Sequence, residues 1–360
     1  MAVTQEDSHV LYIARAIGII LVVFGHYMWH PNWTWSPYLF HMPLFFVLGG
    51  MVCRPIVDFR QWIVNIGRGY ILYYVFSYLL IAVITWLIIS NWDTRIVFYL
   101  GEGFESLATP ILHNSHNNSL FMVGWFIVAY CLSNVLFRLF LTFAHKYISP
   151  GLILFLGVSL GYVGITYLSP LFQLHRFWLW NIFCQVSVGL MYFTIGYVCK
   201  QMIQRAASLW VLIISWGALW TLVKLGLSHE LGMSWSEYPD GFALHLLVSM
   251  FGVIGVLSLA NTLRHCSGHR HFVWLGKQSK SIMTYHMVCL VLVDLLMVEL
   301  GYLDSNYISA LHHYVDPVWG WIYIGVGVYG AIGINHLVNQ FKSGVFSQRR
   351  NSTQSRLRLD

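Results

Sequence analysis

The sequence predicts an all-α fold: a polytopic transmembrane helical bundle of about ten spans, with both termini cytoplasmic. Three observations lead there. Of 360 residues, 58% are hydrophobic and 9% charged, against roughly 25% charged in an ordinary soluble domain, so too little polar surface remains to cover a globule. Apolar stretches long enough to cross the roughly 30 Å hydrocarbon core recur along the whole chain. Lysines and arginines collect in alternate connections, as they do in cytoplasmic loops.

The first span, 10–28, follows acidic Glu6 and Asp7, and no small-residue cleavage site comes after His26, so it is expected to be a retained helix and not a removed signal. The second, 38–53, leads into a connection with Arg54, Arg60 and Arg68. The third, 70–90, contains the run LLIAVITWLII, which lacks the period-2 alternation of a barrel strand. Only a helix then satisfies its backbone in lipid. The connection 91–118 holds Asp93, Glu102, Glu105 and the polar run HNSHNNS. Spans 119–143 and 151–168 flank Lys146, and spans 180–199 and 207–227 flank Lys200 and Arg205. Glu230, Glu237 and Asp240 populate the next connection. Spans 242–263 and 281–300 flank Arg264, Arg270, Lys277 and Lys280, and Asp304 and Asp316 precede the last span, 318–341. Fifteen of the twenty cations thus fall on one side, whereas the loops of the other hold only Arg95 and Arg176. Both termini fall on the cation-rich side, which requires an even number of spans.

The chain divides into a membrane unit over 1–342 and a polar, basic tail over 343–360, expected to be disordered and to feel anionic lipid. No appended soluble domain is expected, since no hydrophilic stretch exceeds thirty residues. The net charge of +6 reports topology and gives no reason to propose nucleic acid as a partner. The six cysteines lie in expected spans or cytoplasmic connections, without the C-x-x-C spacing of a metal site, and no metal is expected. Many of the sixteen tryptophans fall near span ends, where interfacial anchoring explains them. The two long outer connections, 91–118 and 228–241, are read as ordinary solvated loops or as walls of an acceptor site.

Polar groups inside apolar spans are costly and are therefore candidates for function. Arg15 and His26 are eleven positions apart, about 16 Å along a helix and roughly 20° around it. One face then carries a cation towards the cytoplasm and an imidazole towards the outside. Arg15 could equally snorkel to the inner boundary, and His26 and His41 could serve as interfacial hydrogen-bonding groups. His286 lies about one turn into the ninth span, closer in depth to Arg15. Asp294 is the one acid well inside a span and lies within about 5 Å of the depth of His26, counting 1.5 Å per residue. It is a candidate to orient that imidazole, or a packing group; Glu299 is a weaker choice.

The stretch IARAIGIILVVFGHY resembles the first helix of the acyltransferase-3 family of membrane O-acyltransferases, whose signature is an arginine followed eleven positions later by a histidine. Arg15 and His26 fit it. FHMPLFFVLGGMV resembles the family's second motif, with Arg68 matching the basic residue that follows. GWFIVAY, with Trp125 and Phe126, resembles its Trp-Phe pair, and WLGKQSKSIMTYH places Gly276, Lys277, Ser279, Ile282 and His286 at the spacing of its late motif. The sequence departs from the family at Gly49, where a serine is usual, and at Met283, where a tyrosine is usual.

The resemblance implies transfer of an acyl group, commonly acetyl from cytoplasmic acetyl-coenzyme A, to a hydroxyl of a cell-surface glycan such as lipopolysaccharide O-antigen. The location is then the cell's inner membrane. With that activity His26 is the candidate general base, and Asp294 stays the candidate to orient it or a packing group; Arg15, Arg68 and His286 are the candidates for the coenzyme, and His41 and Trp125 for the acceptor. A neutral imidazole can take the proton of a sugar hydroxyl, and cations suit the anionic coenzyme. The alternatives are a secondary transporter, for which Gly49–Gly50 would mark a broken helix, and an acyltransferase with a lipid acceptor.

Overall fold

The computed structural model describes residues 5–27, 36–99, 105–144 and 146–340. The basic tail, Glu102 and the tryptophan-rich run after Tyr27 lie outside the described residues. Within them the chain is helical, with two isolated bridges, Phe98 with Asn118 and Gly232 with Glu237.

Helix α1 (Gln5–Tyr27) is followed by α2 (His41–Val52). Asp58 caps α3 (Phe59–Ile66) by accepting the Gln61 N–H, and α3 runs through a π turn at Gly67–Ile71 into α4 (Leu72–Asn91). The third span therefore starts eleven residues before the expected position 70. The early part, FRQWIVNI, is amphipathic and gives no continuous apolar run. The connection after α4 contains α5 (Glu105–Leu112) and leads to α6 (Gly124–Ala144). Ser149 caps α7 (Pro150–Val163), with Pro150 in the first turn, where its missing N–H costs nothing. A second π turn joins α7 to α8 (Ser169–His175), and α9 (Trp178–Val198) follows. Helices α10 (Lys200–Ala206) and α11 (Leu209–Lys224) meet at a bend of 100°. Next come α12 (Gly241–Leu263), α13 (His269–Lys277) and α14 (Ser279–Glu299), and last α15 (Pro317–Gly325), whose rod continues through a π turn to Gln340.

Eight of these rods are long and apolar enough to cross a membrane, or nine if α10 and α11 form one bent span. The remaining expected span falls on α2, which has only twelve residues, about 18 Å at 1.5 Å per residue. Every residue from His41 to Met51 is buried, so the neighbouring helices and not lipid surround α2. At its far end α2 meets α9 backbone to backbone: a Cβ on Gly50 would collide with the Phe193 carbonyl, and one on Gly196 with the Val47 carbonyl. Small residues permit this close approach. Gly49–Gly50 is thus a packing surface in an unbroken helix, not the helix break a transporter would use there.

Helix α9 also packs on α6 and α7, while α1 is held among α2, α12, α13 and α14. The chain's alternation places Arg54, Arg60, Arg68, Lys200, Arg205, Arg264, Arg270 and Lys277 at one end, here the basic end. Asp93, Glu230, Glu237, Asp240, Asp304 and Asp316 lie at the other, the acidic end. Two connections are pinned over the acidic end by amides rising from α9. Asn114 Nδ2 donates to Asn181 Oδ1 at 3.0 Å and to Gln185 Oε1 at 2.9 Å. In turn Asn181 Nδ2 donates to the Ser234 carbonyl at 3.0 Å, and Gln185 Nε2 to the same carbonyl at 2.9 Å. These buried amides would be costly without such partners.

Candidate active site

Helix α1 presents Arg15 towards the basic end and His26 towards the acidic end, and each opens into a cavity of its own. His26 lines a space of about 180 Å³ together with Tyr38, His41 and Trp125, with exposed Glu230 and Glu237 at the rim. Its Nδ1 lies 3.3 Å from the Tyr38 hydroxyl. When Nδ1–H donates to that oxygen, Nε2 keeps its lone pair for the cavity. His41 Nδ1 is 2.6 Å from the Pro37 carbonyl, which can only accept, so the proton sits on Nδ1.

His286 is fixed in the same way: its Nδ1–H is shared between the Ile282 and Met283 carbonyls at 2.9 and 3.0 Å, and its buried Nε2 has no protein partner. The expected depth of His286 is corrected. Its ring centroid lies 5.1 Å from that of His26, not beside Arg15. The reason is α13, which lies along α1 so closely that a Cβ on Gly276 would strike the Tyr12 carbonyl. Helix α13 thus ends near the level of Tyr12, and the two turns of α14 from Ser279 carry His286 to the level of His26.

The expected partnership of Asp294 with His26 is also corrected. Its carboxylate accepts from His313 Nδ1 at 2.6 Å, from the Tyr323 hydroxyl at 2.6 Å and from the Tyr314 N–H at 3.2 Å. His313 comes from the connection between α14 and α15 and stacks on Tyr27, the neighbour of His26. Its Nε2 is buried without a protein partner. Four imidazoles thus gather at this end of α1: His41 shares the cavity of His26, His286 lies 5.1 Å from it ring to ring, and His313 stacks on Tyr27. Among the described residues, no group of His, Cys, Asp or Glu side chains is placed to hold a metal ion.

Arg15 lines the second cavity, about 220 Å³, with Tyr70, Tyr130, Ser279 and Lys280. The Lys280 ammonium donates to the Gly69 carbonyl at 2.5 Å and sits 3.5 Å from the Tyr73 ring centroid, a cation–π distance. Lys277 and Arg15 both stand over the Tyr12 ring, at 5.5 and 5.6 Å. Arg68, on the π turn before α4, is exposed and does not line this cavity. Trp125 is in the wall of the His26 cavity, as is His41.

Sequence reasoning missed Lys280, His313 and the amide pair Asn181 and Gln185. Lys280 reads as a loop cation in the sequence, although it stands three residues before Met283, one turn along the same helix. His313 lies in an irregular connection where no periodicity marks it.

Compared with known proteins, the chain matches the family model described as an acyltransferase domain over residues 10–336, which contains both cavities. No curated protein and no solved structure matches it.

Proposed function

This chain belongs to the acyltransferase-3 family of multi-pass membrane acyltransferases, and from that premise we propose that it carries acetyl from acetyl-coenzyme A to a hydroxyl of a cell-surface glycan such as lipopolysaccharide O-antigen. The carrying observation is the pair of cavities on one helix, cationic at the basic end and imidazole-lined at the acidic end. Positive charge accumulates on the cytoplasmic side. The basic end then faces the cytoplasm, where acetyl-coenzyme A is available, and the acidic end faces outward from the inner membrane.

Arg15, Lys277 and Lys280 hold the anionic part of the coenzyme, with Arg68 a more distant contact at the surface. His26 is the general base. Nε2 takes the proton of the acceptor hydroxyl as its oxygen attacks the thioester carbonyl, the C–S bond breaks, and the imidazolium returns the proton to the departing thiolate. Tyr38 orients the ring through Nδ1. Trp125 and His41 wall the acceptor, and Asp294 holds His313, which stacks on Tyr27 beside His26. His286, beside His26, takes a place at the acetyl end and not at the coenzyme's phosphates.

The test is His26→Ala and His26→Gln in cells making the glycan. Both variants are expected in the membrane at parental amounts and stabilised by acetyl-coenzyme A, while glycan acetylation falls by about 10²–10⁴, the usual contribution of a general base. Acetylation at near parental rates by well-inserted variants would exclude His26 and make His41 the next residue to examine.

A further inference from the structure

Two residues belong to the walls of both cavities: Phe126 from α6 and Met283 from α14. They stand where the cationic space ends and the imidazole-lined space begins. On α14 the sequence places Lys280, Met283 and His286 at successive intervals of three, so a cation, a thioether and an imidazole follow one another along the helix axis, each about 60° round from the last. Arg15 and His26 repeat the outer two of these steps on α1.

We propose that Met283, closing against Phe126, is the constriction through which the acyl-bearing thioester arm of the coenzyme is threaded, and that its size selects the acyl group admitted. This rests on the reading of the protein as an acyl-coenzyme A-dependent transferase. The two side chains have different freedom. Phe126 is held by ring contacts with Phe46 at 5.3 Å, Tyr130 at 5.5 Å and Phe45 at 5.8 Å, and cannot turn without moving them. Met283 packs in the same buried cluster, but as a single unbranched side chain. An unbranched thioether with three rotatable bonds changes rotamer cheaply and leaves its backbone, whose carbonyl holds His286 Nδ1, in place. Met283 is therefore the moving part and Phe126 the fixed one. Met283 and Phe126 are only 4% and 9% exposed, so the neck between the two spaces is narrow. A neutral thioester and a slender arm suit this apolar neck, whereas the phosphates of the coenzyme are retained by Arg15 and Lys280 below it.

The experiment compares the parent, Met283→Trp and Met283→Ala in membrane vesicles carrying the endogenous acceptor, with acetyl- and butyryl-coenzyme A as donors. Thermal stabilisation by acetyl-coenzyme A is read on the purified proteins. Met283→Trp is expected to keep that stabilisation and lose transfer by at least tenfold. Met283→Ala is expected to raise the butyryl-to-acetyl transfer ratio at least fivefold. A parental ratio in Met283→Ala overturns the proposal even where Met283→Trp fails to insert, and parental transfer by an inserted Met283→Trp overturns it independently. Absence of any stabilisation of the parent by acetyl-coenzyme A sinks the functional reading instead.

Discussion

Among the described residues Asp294 is the carboxylate with the most hydrogen bonds, and removing it separates its structural role from any part in catalysis. The perturbations are Asp294→Ala, His313→Leu and the two together. In the parent, three donors converge on this carboxylate, from His313, Tyr323 and Tyr314, and Asp294 and the His313 side chain are fully buried. Alanine leaves the His313 and Tyr323 donors without an acceptor in a site that water does not reach. Breaking a buried pair by removing one partner costs about 3–5 kcal/mol, most of it the penalty on the group left behind. Leucine at 313 leaves the carboxylate with two of its three donors, and a comparable loss is expected. The double variant has neither the orphaned imidazole nor the under-bonded carboxylate, leaving only the Tyr323 and Tyr314 donors unmatched, and should lose less than the sum, by roughly 2 kcal/mol or more of coupling. Apparent melting temperatures of the four purified proteins in one lipid environment give the cycle, and strictly additive shifts would refute the pairing. Acetylation by Asp294→Asn, which keeps shape and two acceptor contacts, then reports on catalysis: a fall of roughly tenfold or more beyond any loss of protein is expected if the negative charge supports the imidazole cluster.

Arg15→Ala and Lys280→Ala are each expected to weaken acetyl-coenzyme A binding by about 10- to 100-fold, the equivalent of roughly 1.5–3 kcal/mol for a hydrogen bond to a charged group. Exposed Arg68→Ala should cost about fivefold at most, and equal losses in a titration of all three would show that the cavity is not the coenzyme's seat. The connection over the acidic end should respond to pH through His116, whose Nδ1–H donates to the Asn114 carbonyl at 2.8 Å and whose ring sits 4.4 Å from Trp235. Burial pushes its pKa down to about 4 from 6.5. Between those values the unfolded chain binds the proton and the folded chain does not. The stability is therefore complete above about pH 6.5 and is lost as pH falls towards 4, by up to about 1.4 kcal/mol per pH unit. His116→Gln should melt with a shallower loss between pH 7 and 5 than the parent; parallel curves would rule His116 out.

The spans and the Arg15–His26 pair were legible because both depend on local periodicity. An apolar run announces its own helix, and eleven residues return a helix almost to the same face. What lies between helices was not legible in that way. The depth of His286 depends on where α14 starts, and this is set by α13 packing on Tyr12. The partner of Asp294 comes from an irregular connection, where neither spacing nor hydrophobicity records which side chain turns inward. The resemblance identified the family, whereas counting depth along the spans gave Asp294 a neighbour it does not have. The glycine at position 49 has its reason only in three dimensions: a Cβ there would meet the Tyr130 hydroxyl and the Phe193 ring at 2.6 and 2.7 Å, so the usual serine would not fit under them.

The two cavities also bear on what kind of substrate the bundle can serve. A secondary transporter presents one site alternately to the two sides, so a single set of groups must complement the solute in both states. Here the ends differ in chemistry: Arg15 and Lys280 line one space, while His26, His41 and two carboxylates line the other. A small solute complementary to the first would be poorly matched by the second. A donor with a polyanionic head and a neutral reactive end is matched by both at once, with each part in its own space. The imidazoles then remain close to the thioester carbonyl and away from the phosphates, which would otherwise favour the protonated ring and remove the lone pair that the transfer requires.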